Sequence, residues 1–73
     1  MRVSQVQIMN LKTGEALLFP ADEVFEHLPR TGEAICIMDE NGEIMYGLDG
    51  VIKEVRWSII GSEASVFIDV QGI

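Results

Sequence analysis

The sequence predicts a small, mainly β protein: an antiparallel meander of about six strands, with one short α-helix between strands 2 and 3. Short apolar runs recur along the chain, and glycine-containing turn signals separate them, the strongest being Asn41-Gly42. Pro20 and Pro29 bracket a single helical pattern. Because consecutive strands tend to be neighbours, such a chain is expected to close as an SH3-like barrel or to fold as a two-layer sandwich.

The central predicted feature is a hairpin around Asn41-Gly42. A two-residue type I′ turn needs positive φ at both central residues, which Asn and Gly adopt at low cost. This turn would place Met38 opposite Met45. Side chains alternate along a strand, so one predicted face carries Ile35, Ile37, Ile44, Tyr46 and Leu48. The other face carries Cys36, Met38 and Met45, and both faces are therefore apolar.

A first hairpin is predicted from residues 3–11 and 16–19, with Thr13-Gly14 as its turn. This register sets Lys12 opposite Glu15, a favourable cross-strand pair. One face would show Val6, Ile8, Leu17 and Phe19, and the other Met9, Leu11, Ala16 and Leu18. A longer loop would change the register, and a shift by one residue would exchange the two faces.

The short helix is predicted over residues 21–28. Val24, Phe25 and Leu28 would form its apolar stripe. Pro29 ends it, because the residue before a proline is disfavoured in the α region. Two helical turns are unstable alone, so the stripe is expected to pack on the sheet.

Two further strands are predicted after an Asp49-Gly50 turn, over residues 51–60 and 64–70. A type II′ turn at Gly61-Ser62 would join them, with glycine at its first central position. The resulting register pairs Trp57 with Val66. By periodicity, Trp57 and Tyr46 are both expected at core positions.

The chain is expected to form one domain over residues 1–73, too short to bury a large core. Its single cysteine rules out an internal disulfide, and one cysteine with one histidine cannot form a Cys₄ or Cys₂His₂ zinc site. No metal or other cofactor is expected. Oligomerisation then becomes the usual way for so small a domain to gain stability, and a homo-oligomer is predicted.

The net charge of −7 argues against nucleic acid as a partner, since phosphate contacts require lysine and arginine. The N-terminal residues show no apolar signal region, and no run has the length of a membrane helix. A cytoplasmic location without membrane association is the expectation.

A surplus of apolar strand residues predicts an interface with another copy or with a partner. The predicted interface residues are Met9, Leu11, Leu18, Cys36, Met38 and Met45. Methionine is flexible and suits contact surfaces, and one short helix is too small to cover both hairpins. The alternative is that the helix does cover this face, as in an ordinary two-layer domain.

The loop between the central strands is acidic, and Asp39, Glu40 and Glu43 are predicted to contact a basic protein partner. Glu40 and Glu43 would face each other as like charges across the turn, which a basic partner would relieve. Clustered carboxylates also invite a calcium interpretation, but Ile44 occupies the position where an EF-hand loop needs glycine.

Glu23, His27 and Tyr46 form a candidate ligand site, with His27 four residues after Glu23 on the predicted helix. A reaction would need a further nucleophile. Cys36 is expected in a buried strand, where cysteines are usually inert. Interaction of His27 with the end of the helix and with Glu23 is the simpler interpretation.

These features predict a non-enzymatic binding or assembly module that self-associates through the apolar, methionine-containing sheet face and presents acidic loops to a protein partner. One alternative is an acidic decoy or inhibitor that occupies the basic groove of a nucleic-acid-binding protein. Another is a small ligand-binding protein or enzyme whose site forms at a subunit interface.

Overall fold

The computed structural model describes residues 2–20 and 28–72, which form five strands and no helix. The strands are β1 (Arg2–Asn10), β2 (Ala16–Phe19), β3 (Ala34–Met38), β4 (Ile44–Ile60) and β5 (Glu63–Gly72). They form one mixed sheet in the order β2-β1-β5-β4-β3, which curls into a half-barrel. The mainly β class is confirmed, whereas the count of six strands is wrong. The predicted helix falls mostly on residues 21–27, which lie outside the described residues.

The first and last strands are neighbours, and they run parallel. This parallel pair replaces the expected up-and-down meander and also leaves the sheet as one curled layer rather than a sandwich. The burial of β5 explains the order. Ala64, Val66, Ile68 and Val70 are all buried. A strand this apolar needs neighbours on both sides, and β1 and β4 supply them.

The core lies on the inner, concave face of the curled sheet. It is built from the alternate residues of the central strands. The buried cluster contains Val6, Ile8, Leu48, Ile52, Val66, Ile68 and Val70. Partly buried side chains from the edge strands pack around this cluster, including Leu17, Phe19, Ile35 and Ile37.

The first hairpin has the predicted faces but a different register. Ile8 pairs with Leu17 and Val6 with Phe19, a shift of two residues from the predicted pairing. The loop is longer than two residues because the backbone N–H of Asn10 donates to the carbonyl of Glu15, at 2.8 Å. An even shift preserves the alternation, so Val6, Ile8, Leu17 and Phe19 still share the core face.

The β3–β4 hairpin corrects the predicted type I′ turn. The N–H of Gly42 donates to the carbonyl of Asp39 at 3.0 Å, and the N–H of Asp39 donates to the carbonyl of Glu43 at 2.8 Å. Gly42 has φ +81°, whereas Asn41 is not among the described positive-φ residues. These features indicate a type I turn followed by a left-handed glycine, the usual three-residue hairpin loop. Met38 therefore pairs with Ile44, not Met45.

The predicted Asp49-Gly50 turn is also wrong, because β4 continues through it. Gly50 pairs with both Ile35 and Gly72 inside the sheet. A Cβ atom at Gly50 would lie 2.0 Å from the carbonyl oxygen of Gln71. Glycine is required here because two backbones approach each other closely. In the sequence, a glycine with this role looks the same as a glycine in a turn.

The β4–β5 hairpin is confirmed in its predicted register. Trp57 pairs with Val66, Val55 with Ile68 and Ile59 with Ala64. Gly61 has φ +62° at the first central position of the two-residue turn, as a type II′ turn requires. A bulge between Ile52 and Glu54 interrupts the ladder before this regular part begins.

Candidate functional site

Large apolar side chains remain exposed at several places on the described sheet. Those exposed by 44% or more are Leu11, Leu18, Met38, Ile44, Tyr46, Val51, Trp57, Ile59 and Ile60. Single exposed apolar residues are ordinary, but groups of them mark contact surfaces. The strand register sorts most of them into three groups, two on the outer side of the sheet and one on a strand edge.

The first group, called here the Leu18 patch, consists of Met9, Leu11 and Leu18 near one edge of the sheet. Leu18 is 62% exposed and lies on β2, opposite Gln7 of β1. Met9 is half-buried opposite Ala16, and Leu11 is exposed in the following turn. The side chains of Leu17 and Phe19 occupy the core side, so Leu18 must face outward.

The second group, called here the Met38 patch, consists of Cys36, Met38 and Ile44 at the opposite edge. Met38 is 56% exposed, and its pairing with Ile44 places both side chains on the outer side. Cys36 is exposed as well, which corrects the prediction that it is buried. Ile44 was predicted on the core face, and the one-residue difference in register explains its exposure.

Met45 does not share the surroundings of Met38. It is half-buried and follows Ile44, on the opposite side of the strand at that point. The next residue, Tyr46, is 48% exposed rather than in the core. Tyr46 and Gly47 have φ values of +50° and +65°, so β4 bends here and its side chains no longer alternate regularly between the two faces.

Five of the six predicted interface residues thus fall into two patches separated by β5 and part of β4, and Met45 belongs to neither patch. The separating surface carries the ion pair of Arg56 and Asp69, whose Nη2 and Oδ1 atoms are 3.2 Å apart. Asp69 is buried, and the polar residue Glu54 is its partner on β4. A single partner would therefore cover the two patches only across a polar strip.

The tip of the β3–β4 hairpin is acidic and exposed, as expected for a contact site. Asp39, however, is committed to the turn: its Oδ1 accepts hydrogen bonds from the N–H groups of Asn41 and Glu43, at 2.8 and 3.0 Å. Asp39, rather than Glu40, pairs with Glu43 across the loop. Glu40 and Glu43 therefore do not oppose each other, and their exposed side chains are the ones left to meet a partner.

The candidate ligand site is described only at Tyr46, because Glu23 and His27 lie outside the described residues. An open cleft of about 460 Å³ is lined by Gly47, Asn10, Lys12 and Asp49 among others, and Tyr46 is not one of its lining residues. A second cleft of about 560 Å³ is lined partly by Lys12 and Lys53. Within residues 2–20 and 28–72, no three His, Cys, Asp or Glu side chains group as metal ligands.

Two features of the structure are not predicted by the sequence patterns. The first is Asn10, which is buried and donates a side-chain hydrogen bond to the carbonyl of Tyr46 in the bend of β4. In the sequence, Asn10 resembles an ordinary polar residue at the end of a strand. The second feature is one edge of β4, where Trp57 and Ile59 are about half exposed. The prediction that Trp57 lies in the core is wrong. Its side chain is on the inner side of the sheet, as the alternation predicts, but no described strand lies beyond β4 to cover it there.

Comparison of the chain with protein-family models, with curated proteins and with solved structures gave no match. In the described part of the chain, no helix is long and apolar enough to span a membrane.

Proposed function

We propose that this protein is a non-enzymatic assembly module that self-associates through apolar residues of its sheet and presents its acidic hairpin to a protein partner. One observation carries the proposal: Leu18 and Met38, on opposite edges of the sheet, are both more than half exposed. Each has an exposed or half-buried apolar neighbour by register, since Met9 lies diagonally from Leu18 and Ile44 pairs with Met38, and such groups favour association.

Association would stabilise this fold as well as serve assembly. The core cluster is small, and it lies on one face of a single curled sheet. Small domains usually need an additional source of stability, and this chain has one cysteine and therefore no internal disulfide. Covering the Leu18 patch or the Met38 patch with another molecule would remove apolar surface from water, at about 25 cal/mol per Å².

The acidic hairpin is suited to a basic protein partner. Glu40 and Glu43 are exposed at the tip, and Asp39 fixes the loop backbone through two hydrogen bonds. A rigid loop loses little conformational entropy on binding, so its charges are effective in recognition. Contacts of this kind chiefly raise the association rate and depend on salt concentration.

Light scattering after size-exclusion chromatography tests the self-association. Leu18→Ser and Met38→Ser are expected to raise the dissociation constant by roughly tenfold each, corresponding to about 1.4 kcal/mol. The matched control is Thr31→Ser, an exposed loop position outside both patches. A monomer at about 10 μM, a concentration at which micromolar complexes are well populated, would contradict the proposal.

Titration with a lysine-rich peptide tests the acidic hairpin. Binding is expected to weaken with added salt and to be lost in the double variant Glu40→Gln, Glu43→Gln, whereas Glu15→Gln, on the other loop, leaves it unchanged. Equal affinity of the double variant and the parent protein would count against a role for the hairpin.

A further inference from the structure

Among residues 2–20 and 28–72, none forms a strand pair with one edge of β4 over residues 54–60. On one side, β5 pairs with β4 along Gly50–Ile60. On the other side, β3 and the preceding loop reach only to Ile52, whose N–H donates to the carbonyl of Glu33 at 2.9 Å. Beyond that bond, no residue within 2–20 or 28–72 pairs with this edge.

The backbone groups on this edge can be assigned from the hairpin. Because the Gly61-Ser62 turn has two residues, Ile60 and Glu63 form the hydrogen-bonded pair next to it. Hydrogen bonding alternates along an antiparallel strand, so Val55, Trp57 and Ile59 direct their N–H and C=O groups away from β5. The side chains of these same residues face the inner side, where Trp57 is 49% and Ile59 52% exposed.

The β2 edge of the sheet is protected in ways that this one is not. β2 has four residues and is followed by Pro20, which cannot donate to a ladder. Residues 54–60 contain no proline, and they place no charge on the inner side. A long, apolar, exposed edge is a template for pairing with another strand.

We propose that this edge pairs with the same edge of a second copy, antiparallel and centred on Trp57. The sequence Val55-Arg56-Trp57-Ser58-Ile59 is close to a palindrome in chemical type, with an aliphatic residue, a polar residue, Trp, a polar residue and an aliphatic residue. A two-fold interface must be self-complementary, and this order satisfies that condition. Trp57 lies opposite its own copy, Val55 opposite Ile59, and Arg56 opposite Ser58.

Charge also favours a second copy at this position. The chain carries a net charge of −7, so two copies repel each other over most of their surface. Residues 53–60 contain Lys53, Arg56 and one acidic residue, Glu54, and the segment is therefore weakly positive. It lies at the far end of β4 from the acidic hairpin, where a basic partner would bind instead.

The paired edges would join two five-stranded sheets into one continuous curled sheet. The exposed inner surface of Trp57 would then pack against the other copy, and the outward backbone groups of three residues per chain would gain partners. This inference rests on the proposed function only in requiring self-association, because the contact is separate from the Leu18 and Met38 patches.

A pair of opposite substitutions at Ser58 tests this register. Ser58 is exposed on the outer side, opposite Ser65 of its own chain, so the fold tolerates either change. With Ser58→Glu, the new carboxylate of each chain lies opposite Arg56 of the other chain, so the dimer gains two such charge pairs. This variant is expected to tighten the dimer by roughly 2–10-fold. Ser58→Lys sets like charges opposite Arg56 and is expected to weaken it by a similar factor.

Sedimentation equilibrium gives the dissociation constants, and the emission of Trp57, the only tryptophan, reports burial at the centre of the contact. The matched controls are Asn41→Glu and Asn41→Lys, which make the same charge changes at an exposed position of the opposite hairpin. If only the overall charge mattered, Ser58→Glu would weaken the dimer, as Asn41→Glu would. Each substitution makes a chain with a net charge of −7 more negative, and two copies then repel each other more strongly. Tightening is therefore specific to the proposed register.

The outcomes separate this inference from the proposed function. A dimer whose dissociation constant responds to Leu18→Ser or Met38→Ser but not to the Ser58 pair overturns the edge contact and leaves the proposed function standing. A dimer that responds only to the Ser58 pair supports the edge contact and removes the role of the patches. A protein that stays monomeric in every variant overturns both.

Discussion

The side-chain amide of Asn10 donates to the carbonyl oxygen of Tyr46 at 2.9 Å, across 36 positions of sequence. The same amide nitrogen lies 3.2 Å from the carbonyl oxygen of Gly47, and the Oδ1 of Asn10 accepts the N–H of Lys12 at 2.9 Å. Tyr46 is the only described non-glycine residue with positive φ, a conformation that costs about 1 kcal/mol or more. Asn10 thus holds the bend in β4 against the end of β1.

Asn10→Ala is expected to lower the free energy of unfolding by about 1–3 kcal/mol, because the carbonyl groups of Tyr46 and Gly47 lose a partly buried donor. Asn10→Asp is expected to cost more, since a carboxylate oxygen would face two carbonyl oxygens. Urea denaturation followed by circular dichroism measures both. If Asp is tolerated better than Ala at this position, the donor role assigned to the amide is wrong.

Gly50→Ala is expected to destabilise the fold by at least about 3 kcal/mol, since the added Cβ meets backbone atoms that cannot move aside. The closest of these is the carbonyl oxygen of Gln71, at 2.0 Å. The control is Gly72→Ala, where the nearest atom is 4.0 Å away and a change within about 0.5 kcal/mol is expected. Similar unfolding midpoints for the two variants would contradict the close approach of β4 and β5.

Arg56→Gln is expected to lower the free energy of unfolding by about 1–2 kcal/mol. Asp69 is buried, and without Arg56 its carboxylate keeps only Glu54 as its charged neighbour on β4. Lys53→Gln removes the same charge at an exposed position nearby and should have little effect. The difference between the two variants should shrink as salt is added, because screening weakens the Arg56–Asp69 attraction. A difference independent of salt would point to packing instead.

The hairpin tip gives a test of turn type. Gly42→Ala is expected to cost about 1 kcal/mol, because Gly42 has φ +81°. Asn41→Ala should cost less than about 0.5 kcal/mol, since this position does not need positive φ in the observed loop. A type I′ turn would make the two substitutions similarly costly. Thermal unfolding of both variants separates the two turn types.

Whether the sequence predicts the register of a hairpin correctly depends on the kind of turn. At Gly61-Ser62 a two-residue turn with glycine in the first position fixed the register, and the pairing of Trp57 with Val66 followed. At Asn41-Gly42 the glycine was placed correctly, but Asp39 accepts two backbone hydrogen bonds and favours a longer loop. One extra residue then moved Ile44 to the outer side.

Contacts between residues distant in sequence account for the remaining differences. Gly50 looks like a turn residue, yet it lies inside β4 because β5 approaches it closely. Tyr46 fits a core pattern, yet its side chain is exposed, because the bend secured by Asn10 breaks the alternation. Neither requirement is visible in a local stretch of residues.

The sequence by itself determined the mainly β class, the faces of the first hairpin and the register of the last hairpin from its turn back to Glu54, because side-chain alternation and short turns are local properties. Only the tertiary structure decided that β1 and β5 lie side by side in parallel, that β4 runs unbroken through Gly50, and that none of the described strands pairs with the second edge of its final residues. Those features depend on which strand can cover the buried residues of β5, and that choice is made by packing between distant segments.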